Sequence, residues 1–333
     1  MTRRRITVPD LYASLSRLIA QVPRGRVTTF GDLGEALGTL RAARWVAEYV
    51  GNHEHDTSCN CHRVIRRTGE LGGYFTGDTS DKAAVLHKER IDVDRGLVDL
   101  ERYGFDRFRS RKPLQRLLRL QDELRDEINL KPYREKPKLV AGVDLSYEKK
   151  SPGQPCYACA TYAVVETRKL DLVRSHTIRR RVKFPYISGF LSFREAPILL
   201  QLLDYVRKRE PLAKVILADG NGIMHPRRVG VATFLGVIAN VRTIGIAKTF
   251  LCGTMEGDDS TPASTPRAIR LDGRKVGYVL GSNDASRPVF LSPGNRVSLA
   301  NALSITRGLF AKHRVPEPIY HADRISREAI KGT

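Results

Sequence analysis

The sequence predicts a two-domain α/β protein, with a region of short helices followed by a sheet flanked by helices. Three observations carry this. The chain has 333 residues, a length that suits about two domains of ordinary size. Its texture changes near residue 110, from short helical patterns and Gly-rich turns to apolar runs that alternate with helical ones. Acidic residues, Asp144 and Asp219, close two of those runs, and strand ends are where α/β sheets place ligands.

Composition limits the function classes. Lys and Arg number 57 against 36 Asp and Glu, a formal charge of +21, and hydrophobic residues make up 41%. That is globular composition and excludes a mostly disordered chain. Self-repulsion of this size is relieved by a polyanion, and nucleic acid is the first candidate. A generally basic proteome or salt adaptation is the competing explanation. The longest weakly polar stretch, residues 229–241, contains Thr233 and Asn240 and falls short of the ~18–20 residues of a membrane span. The basic start at residues 1–5 lacks an apolar segment and a cleavage site, so no secretory signal and no membrane partner are expected. An odd count of 5 cysteines fits a reducing, cytoplasmic setting.

In chain order, residues 30–37 read as a helix, Gly38 as its turn, and residues 40–50 as a second helix. Alternation follows at residues 96–101, then a basic stretch at 107–113. Leu114, Leu117, Leu118, Leu124 and Ile128 recur at helical spacing, which Lys131-Pro132 stops. Residues 139–144 read as a buried strand with 156–166 as its hairpin partner. A helical pattern at 196–208 leads to a third strand at 214–219. Domains are accordingly expected at residues 1–108 and 114–333, with 109–113 as a basic connector.

The first half contains Val22-Pro-Arg-Gly-Arg-Val-Thr-Thr-Phe30-Gly-Asp-Leu, Ala42-Ala-Arg44-Trp-Val, Cys61-His-Arg-Val-Ile and Leu71-Gly-Gly-Tyr74, with Lys82 through Glu89 following. Over residues 10–108 it resembles the DNA-binding, active-site domain of O6-alkylguanine-DNA alkyltransferases and their alkyltransferase-like relatives, a mostly helical helix-turn-helix module. The resemblance implies Cys61 as alkyl acceptor, His62 as a base acting through water and Glu89 as its orienting carboxylate. A thiolate is the reactive form, which is why a relay is needed. It also implies Arg44 filling the stack of a flipped base, Tyr74 in the lesion site, and no cofactor. Three positions depart from the family: Asn60 replaces the Pro before the cysteine, Phe30 replaces a phosphate-contacting Tyr, and Asn52-His53 replaces Asn-Pro. A lone cysteine is more often an inert core thiol. Cys59 and Cys61 with His53 or His55 also raise a metal site, at a spacing that matches no common zinc arrangement.

Cutting a phosphodiester at neutral pH calls for a hydroxide-like nucleophile and neutralised charge on the phosphorus, tasks suited to Mg²⁺ held by carboxylates. Asp144, Asp219 and Glu195 are the candidate metal ligands. The motifs Phe184-Pro-Tyr186-Ile-Ser-Gly189-Phe-Leu191-Ser-Phe-Arg-Glu195, Asp219-Gly220-Asn-Gly222-Ile-Met-His225, Thr243-Ile-Gly-Ile-Ala-Lys248, Val289 through Ser298, and Pro316 through Asp323 resemble endonuclease V over residues 112–330. The resemblance implies a ribonuclease H-like mixed sheet, Mg²⁺ with Mn²⁺ as a substitute, and nicking at the second phosphodiester bond 3′ to deoxyinosine in DNA, or inosine in RNA. It implies Asp323 as a fourth acidic position, His225 beside the phosphate, Lys248 neutralising phosphate charge, and Arg227 and Arg228 near the metal loop. Tyr186 would be the wedge, with Gly189, Leu191, Gly220 and Gly222 receiving the base and Asn295 replacing a His. Cys156 and Cys159 read as strand packing. The expected protein is a repair enzyme for damaged DNA; the alternatives are a nuclease with a non-catalytic lesion-binding module, and an architectural DNA-binding protein.

Overall fold

The computed structural model describes residues 6–53, 55, 59–74, 76–149, 155–257, 265–281 and 287–332, so the basic start lies outside the described residues. Helix α1 (Leu11–Ile19) begins where the Asp10 carboxylate accepts from the Ala13 N–H at 2.9 Å, and it buries Leu11, Leu15, Leu18 and Ile19. After β1 (Thr28–Thr29), α2 (Phe30–Leu37) starts with a capping box of Thr29 and Asp32 and ends at Gly38, whose φ of +118° suits glycine. The expected second helix opens as a 3-10 turn over Leu40–Ala42, and α3 proper spans Ala43–Asn52. The Thr39 hydroxyl accepts from Arg41 and caps that turn.

A second 3-10 turn, Asn60–Arg63, carries Cys61 and passes into β2 (Val64–Ile65), which pairs in parallel with β1. Helices α4 (Thr79–Lys88) and α5 (Leu100–Tyr103) complete this half. The alternation at 96–101 makes no strand; Leu97 forms only isolated bridges to Glu70 and Asp94. Helix α6 (Pro113–Asp126) places Pro113 in its first turn, where the missing N–H costs nothing, and ends before Lys131-Pro132 is reached.

The second half adds β3 (Leu139–Tyr147), β4 (Tyr157–Glu166), β5 (Leu172–Arg181), α7 (Leu191–Arg207), β6 (Val215–Asp219), α8 (Val231–Ala239), β7 (Thr243–Ala247), β8 (Thr254–Met255), β9 (Arg267–Leu271), β10 (Arg274–Leu280), β11 (Val289–Asn295), α9 (Leu299–Arg307) and α10 (Glu317–Lys331). Among the described residues the sheet runs β5-β4-β3-β6-β7-β11-β10-β9-β8. Its centre, β3-β6-β7, is parallel and both flanks are antiparallel. Strand β5, passed over in the sequence, is an edge strand whose one buried residue is Ile178; Arg174, Arg179 and Arg180 on it supply the charge that protects an edge. Helix α7 begins at Leu191, earlier than the expected 196, because Phe193 and Ala196 already belong to its buried face.

The two halves share one apolar core. Leu11, Leu15, Trp45 and Val46 cluster with Leu114, Leu117, Phe184, Phe190, Phe193 and Phe234. The connector lies on the first half: the Ser110 hydroxyl donates to the Ala36 carbonyl, and the Arg109 N–H donates to Gln21 Oε1 at 2.8 Å.

Helix α10 crosses directly over β3. A Cβ on Gly142 would come within 2.0 Å of the Pro318 carbonyl oxygen, so only glycine lets the helix approach this closely. Gly142→Ala is expected to cost about 1–3 kcal/mol by overpacking, read as a lower urea midpoint at unchanged m. Gly73→Ala, where the added methyl meets nothing within 4 Å, serves as the near-neutral control.

Candidate functional site

The pairing of β3 with β6 runs through Val143 and Ala218, and the next residues on each strand are Asp144 and Asp219. Asp144 is not at a strand end, because β3 continues to pair with β4 as far as Tyr147; it stands where the parallel partner stops. Helix α10 delivers Asp323. The carboxylate oxygens of Asp144, Asp219 and Asp323 lie within 4.8 Å of one another. Lys248, one residue beyond β7, donates to Asp219 at 2.5 Å and to Asp323 at 3.1 Å, and Arg327 donates to Asp323 at 2.9 Å. Burial and the Asp219 charge push the Asp144 carboxyl well above the usual carboxylate range, against the pull of Lys248. Burial opposes the charge on Lys248, yet Asp219 and the other carboxylates outweigh it and raise its pKa.

Glu195 lines the same cleft with Leu191, Gly220 and Arg327. It stands apart from the group of three, held by the Tyr147 hydroxyl, which donates to it at 3.0 Å. Burial first, and Asp219 as well, push its pKa up to about 7. Of the expected ligands, Asp144 and Asp219 stand together, but the carboxylate grouped with them is Asp323, and Glu195 lines the cleft beside them. Oxygen donors carrying more negative than positive charge fit a hard divalent cation. Tyr147 and Arg327 were not foreseen, since neither belongs to a motif.

Of the residues expected to wedge or receive a base, Leu191 and Gly220 line this cleft, and Tyr186, Gly189 and Gly222 are not among its lining. Tyr186 is 61% exposed, as a side chain presented outward must be. Gly189 has φ +84°, and a Cβ there would meet the Arg41 guanidinium at 2.7 Å; Arg41 belongs to the first half of the chain. The amides of Gly220 and Gly222 are already engaged, donating to the Ile246 carbonyl and to Ser292 Oγ at 2.9 and 2.8 Å. Gly222 is needed because a Cβ would sit 2.1 Å from the Pro293 carbonyl oxygen, so its role is close packing and it offers no free amide.

His225 is buried outside the cleft lining, with Nδ1 accepting from the Arg227 N–H at 3.2 Å. Burial, then the charges of Arg227 and Arg41, lower its pKa to about 4, so the ring is neutral. Arg227 pairs with Asp122, and Arg228 with Asp272 at 3.4 Å; both are tied into the protein. Asn295 is a structural tie, donating to the Gly236 carbonyl and accepting from the Asn129 N–H. Cys156 and Cys159 are buried where the sequence placed them, in and before β4.

In the first half, Cys61 is fully buried at the foot of the 3-10 turn. His62 Nε2 meets Glu89 Oε1 at 2.9 Å, and Arg63 clamps the same carboxylate through two contacts of 2.9 and 2.6 Å. Burial favours neutral Glu89, but Arg63 and His62 hold it down at about 2. Lys82 is buried and donates to the carbonyls of Val64 and Leu71 at 2.6 and 2.5 Å, tying the turn down; burial lowers its pKa to about 8. Tyr74 is buried nearby, its phenol raised to about 12 by burial. Arg44 is exposed on α3. The Cys61 sulfur faces His55 Nδ1 at 3.3 Å. Cys59 competes for the thiolate: its hydrogen bond with Cys61 and a contact with His53 hold it at about 4, while that same hydrogen bond and burial push Cys61 up.

The family model for Endonuclease V matches residues 122–324. The chain belongs to the endonuclease V family. Residues 10–91 match the model for the DNA-binding domain of 6-O-methylguanine DNA methyltransferase. A bifunctional methyltransferase/endonuclease from Picrophilus torridus is 32% identical over 91% of this chain and 92% of its own length. Endonuclease V from Nostoc punctiforme is 36% identical over 64% of this chain and 93% of its own. Among solved structures, human endonuclease V covers 66% of this chain and 98% of its own at 31% identity, with a TM-score of 0.59. Ciona intestinalis endonuclease V, in complex with a DNA containing an inosine followed by a ribo-adenosine, matches at 30% identity over 66% of this chain and 98% of its own, with a TM-score of 0.59. The protein is thus an endonuclease V, with its ribonuclease H-like sheet, fused to an alkyltransferase-like helical part. Among the described residues no helix is long and apolar enough to cross a membrane.

The Glu89 clamp gives a pH test. Its folded pKa of about 2 lies below the reference value of 4.5, so its contribution to stability is complete above pH 4.5 and is lost as pH falls toward 2. The thermal midpoint of Glu89→Gln should lie below wild type at pH 7, with the gap narrowing steadily toward pH 2.

Proposed function

We propose that the carboxylate cleft nicks damaged DNA at the second phosphodiester bond 3′ to deoxyinosine and other deaminated bases, and that the first half receives O6-alkylguanine lesions and transfers the alkyl group to Cys61. The convergence of Asp144, Asp219 and Asp323 with Glu195 on one cleft of an endonuclease V sheet carries the first part. The inosine-containing DNA held by the Ciona relative supports the substrate. Inosine in RNA belongs to the same proposal, since one base is read in both. The setting is proposed as cytoplasmic, where thiols stay reduced.

Asp144, Asp219 and Asp323 would hold Mg²⁺, or Mn²⁺ in its place, with Glu195 close by. Such a cation supplies charge neutralisation at the phosphate and an acidified water. The residues of the chain supply the rest. Lys248 keeps its proton and places a fixed positive charge at the cleft. Glu195, at about 7, holds or releases a proton near neutrality, and the Tyr147 hydroxyl fixes the oxygen that does so. Tyr186, exposed on the surface, would be the wedge that fills the stack when a base leaves it.

In the first half, the thiolate sulfur of Cys61 would form a bond to the alkyl carbon as the carbon–O6 bond breaks, with guanine leaving as its anion and taking up a proton. The His62–Glu89–Arg63 chain keeps the imidazole oriented for proton transfer. A second reading, lesion binding without transfer, is favoured by the burial of Cys61 and by Cys59 holding the thiolate in its stead.

One experiment separates these readings: nicking assays on deoxyinosine and O6-methylguanine duplexes, with and without Mg²⁺, for wild type, Asp144→Ala and Cys61→Ala. Asp144→Ala should lose at least about a hundredfold in nicking while still binding DNA; undiminished nicking sinks the cleft assignment. Intact-protein mass spectrometry after incubation with the O6-methylguanine duplex should show a gain of one CH₂ on wild type and none on Cys61→Ala. An unmodified wild type at saturating lesion establishes the binding-only reading.

A further inference from the structure

Around the expected alkyl acceptor lies a group of which the proposed transfer uses only Cys61. His53, His55, Cys59 and Cys61 each present one ligand atom, and all of these atoms lie within 4.8 Å of one another. His53 Nε2 is 3.1 Å from Cys59 Sγ, and His55 Nδ1 is 3.3 Å from Cys61 Sγ. Around a tetrahedral Zn²⁺, with bonds of about 2.3 Å to sulfur and about 2.0 Å to nitrogen, neighbouring S and N ligands stand about 3.5 Å apart. The spacing already present therefore needs only small adjustments to close on an ion.

The backbone explains why the group converges. His53 caps the end of α3 in an extended conformation, φ −77° and ψ 157°, and Cys59 precedes the 3-10 turn in another, φ −76° and ψ 122°. His53 and His55 follow from the end of α3, whereas Cys59 leads into the 3-10 turn that carries Cys61. Each pair is anchored in rigid structure, one on α3 and the other on the turn held by Lys82. His53 is further aimed: its ring stacks on Tyr49 with centroids 5.0 Å apart, and Nδ1 meets the carbonyls of Tyr49 and Val50 at 3.1 and 3.2 Å. A ligand histidine is usually oriented by such a bond from its other ring nitrogen to a carbonyl.

From this geometry we infer that His53, His55, Cys59 and Cys61 form a four-coordinate zinc site that closes the loop between α3 and the active-site turn. Two thiolates and two imidazoles select Zn²⁺ over the hard cations suited to the carboxylate cleft. Coordination requires both sulfurs as thiolates, so binding releases to solvent whatever protons the thiols carry and oxidises nothing. The inference does not depend on whether Cys61 accepts alkyl groups.

The full chain carrying Asp144→Ala, which weakens the carboxylate cleft, is the background for the test. After dialysis against zinc and removal of excess, it should retain about one zinc per chain, measured by elemental analysis. Replacing the zinc with Co²⁺ should produce thiolate-to-cobalt charge-transfer bands together with the visible bands of a tetrahedral ion, which a carboxylate site cannot give. Cys59→Ser and His53→Asn should each lower zinc affinity by at least about tenfold. If a variant fails to fold, the cobalt spectrum of the unsubstituted site still decides. Absence of both zinc and charge-transfer bands, a Cys59–Cys61 disulfide in freshly purified protein, or bands that persist in both folded variants would overturn the assignment.

Discussion

Three carboxylates crowded within 4.8 Å of one another are the constraint around which the second half is organised. Like charges at that distance repel strongly in a partly buried cleft, and the fold answers with Lys248 between Asp219 and Asp323 and with Arg327 on Asp323 as well. Even so, burial first and the Asp219 charge second drive Asp144 toward its protonated form, against the pull of Lys248. The remaining repulsion is what a divalent ion would offset. The parallel centre of the sheet sets two of the acids in register. The third depends on α10 lying against β3, an approach that the Pro318 carbonyl permits only over a glycine at 142. Site chemistry and helix packing are thus one problem here.

The same economy governs the relation between the halves. Phe184, Phe190 and Phe193 flank or begin α7, the helix that carries Glu195, and they pack into the cluster that includes α1 and α3. The turn bearing Tyr186 and Gly189 is therefore supported from below by the alkyltransferase-like half and touched by Arg41. The Gln121 amide of α6 donates to the Gly189 carbonyl at 3.3 Å from the other side. For the wedge role proposed for Tyr186 such backing matters, because an exposed tyrosine on an unsupported turn would yield instead of wedging.

Much of this was legible in the sequence because the candidate residues sit in contiguous motifs. Asp219, Glu195, Lys248 and the Cys61-His-Arg core announce themselves by their neighbours, and the apolar runs fixed β3, β4 and β6. What escaped lies in long-range contacts. Tyr147 bonds Glu195 from 48 residues away, and Arg63 grips a carboxylate 26 residues on. Strand β5 is charged and solvated, so hydrophobic periodicity is silent there. Gly222 read as a residue open to a base, but the strand packed against it, β11, is remote in sequence. The His and Cys residues did raise a metal site in the sequence, but their spacing matches no common zinc arrangement, and only the fold shows all four ligand atoms together.

The positive surplus looks different once partners are assigned. Arg227, Arg228 and Arg63 each pair with a carboxylate of the chain, Arg314 caps the carbonyls of Lys248 and Pro288, and Lys248 is held by Asp219 and Asp323. Charges spent in this way rigidify loops around the sites and add little to the outer field. Arg44 remains exposed on α3, at the helix expected to face a duplex. A net charge of +21 still produces a strong field, but its attraction for a phosphate backbone arises from side chains away from the motifs. That division has a physical logic. Residues that must hold one geometry are paired inside the protein, and the general, salt-sensitive grip on DNA is left to mobile surface cations.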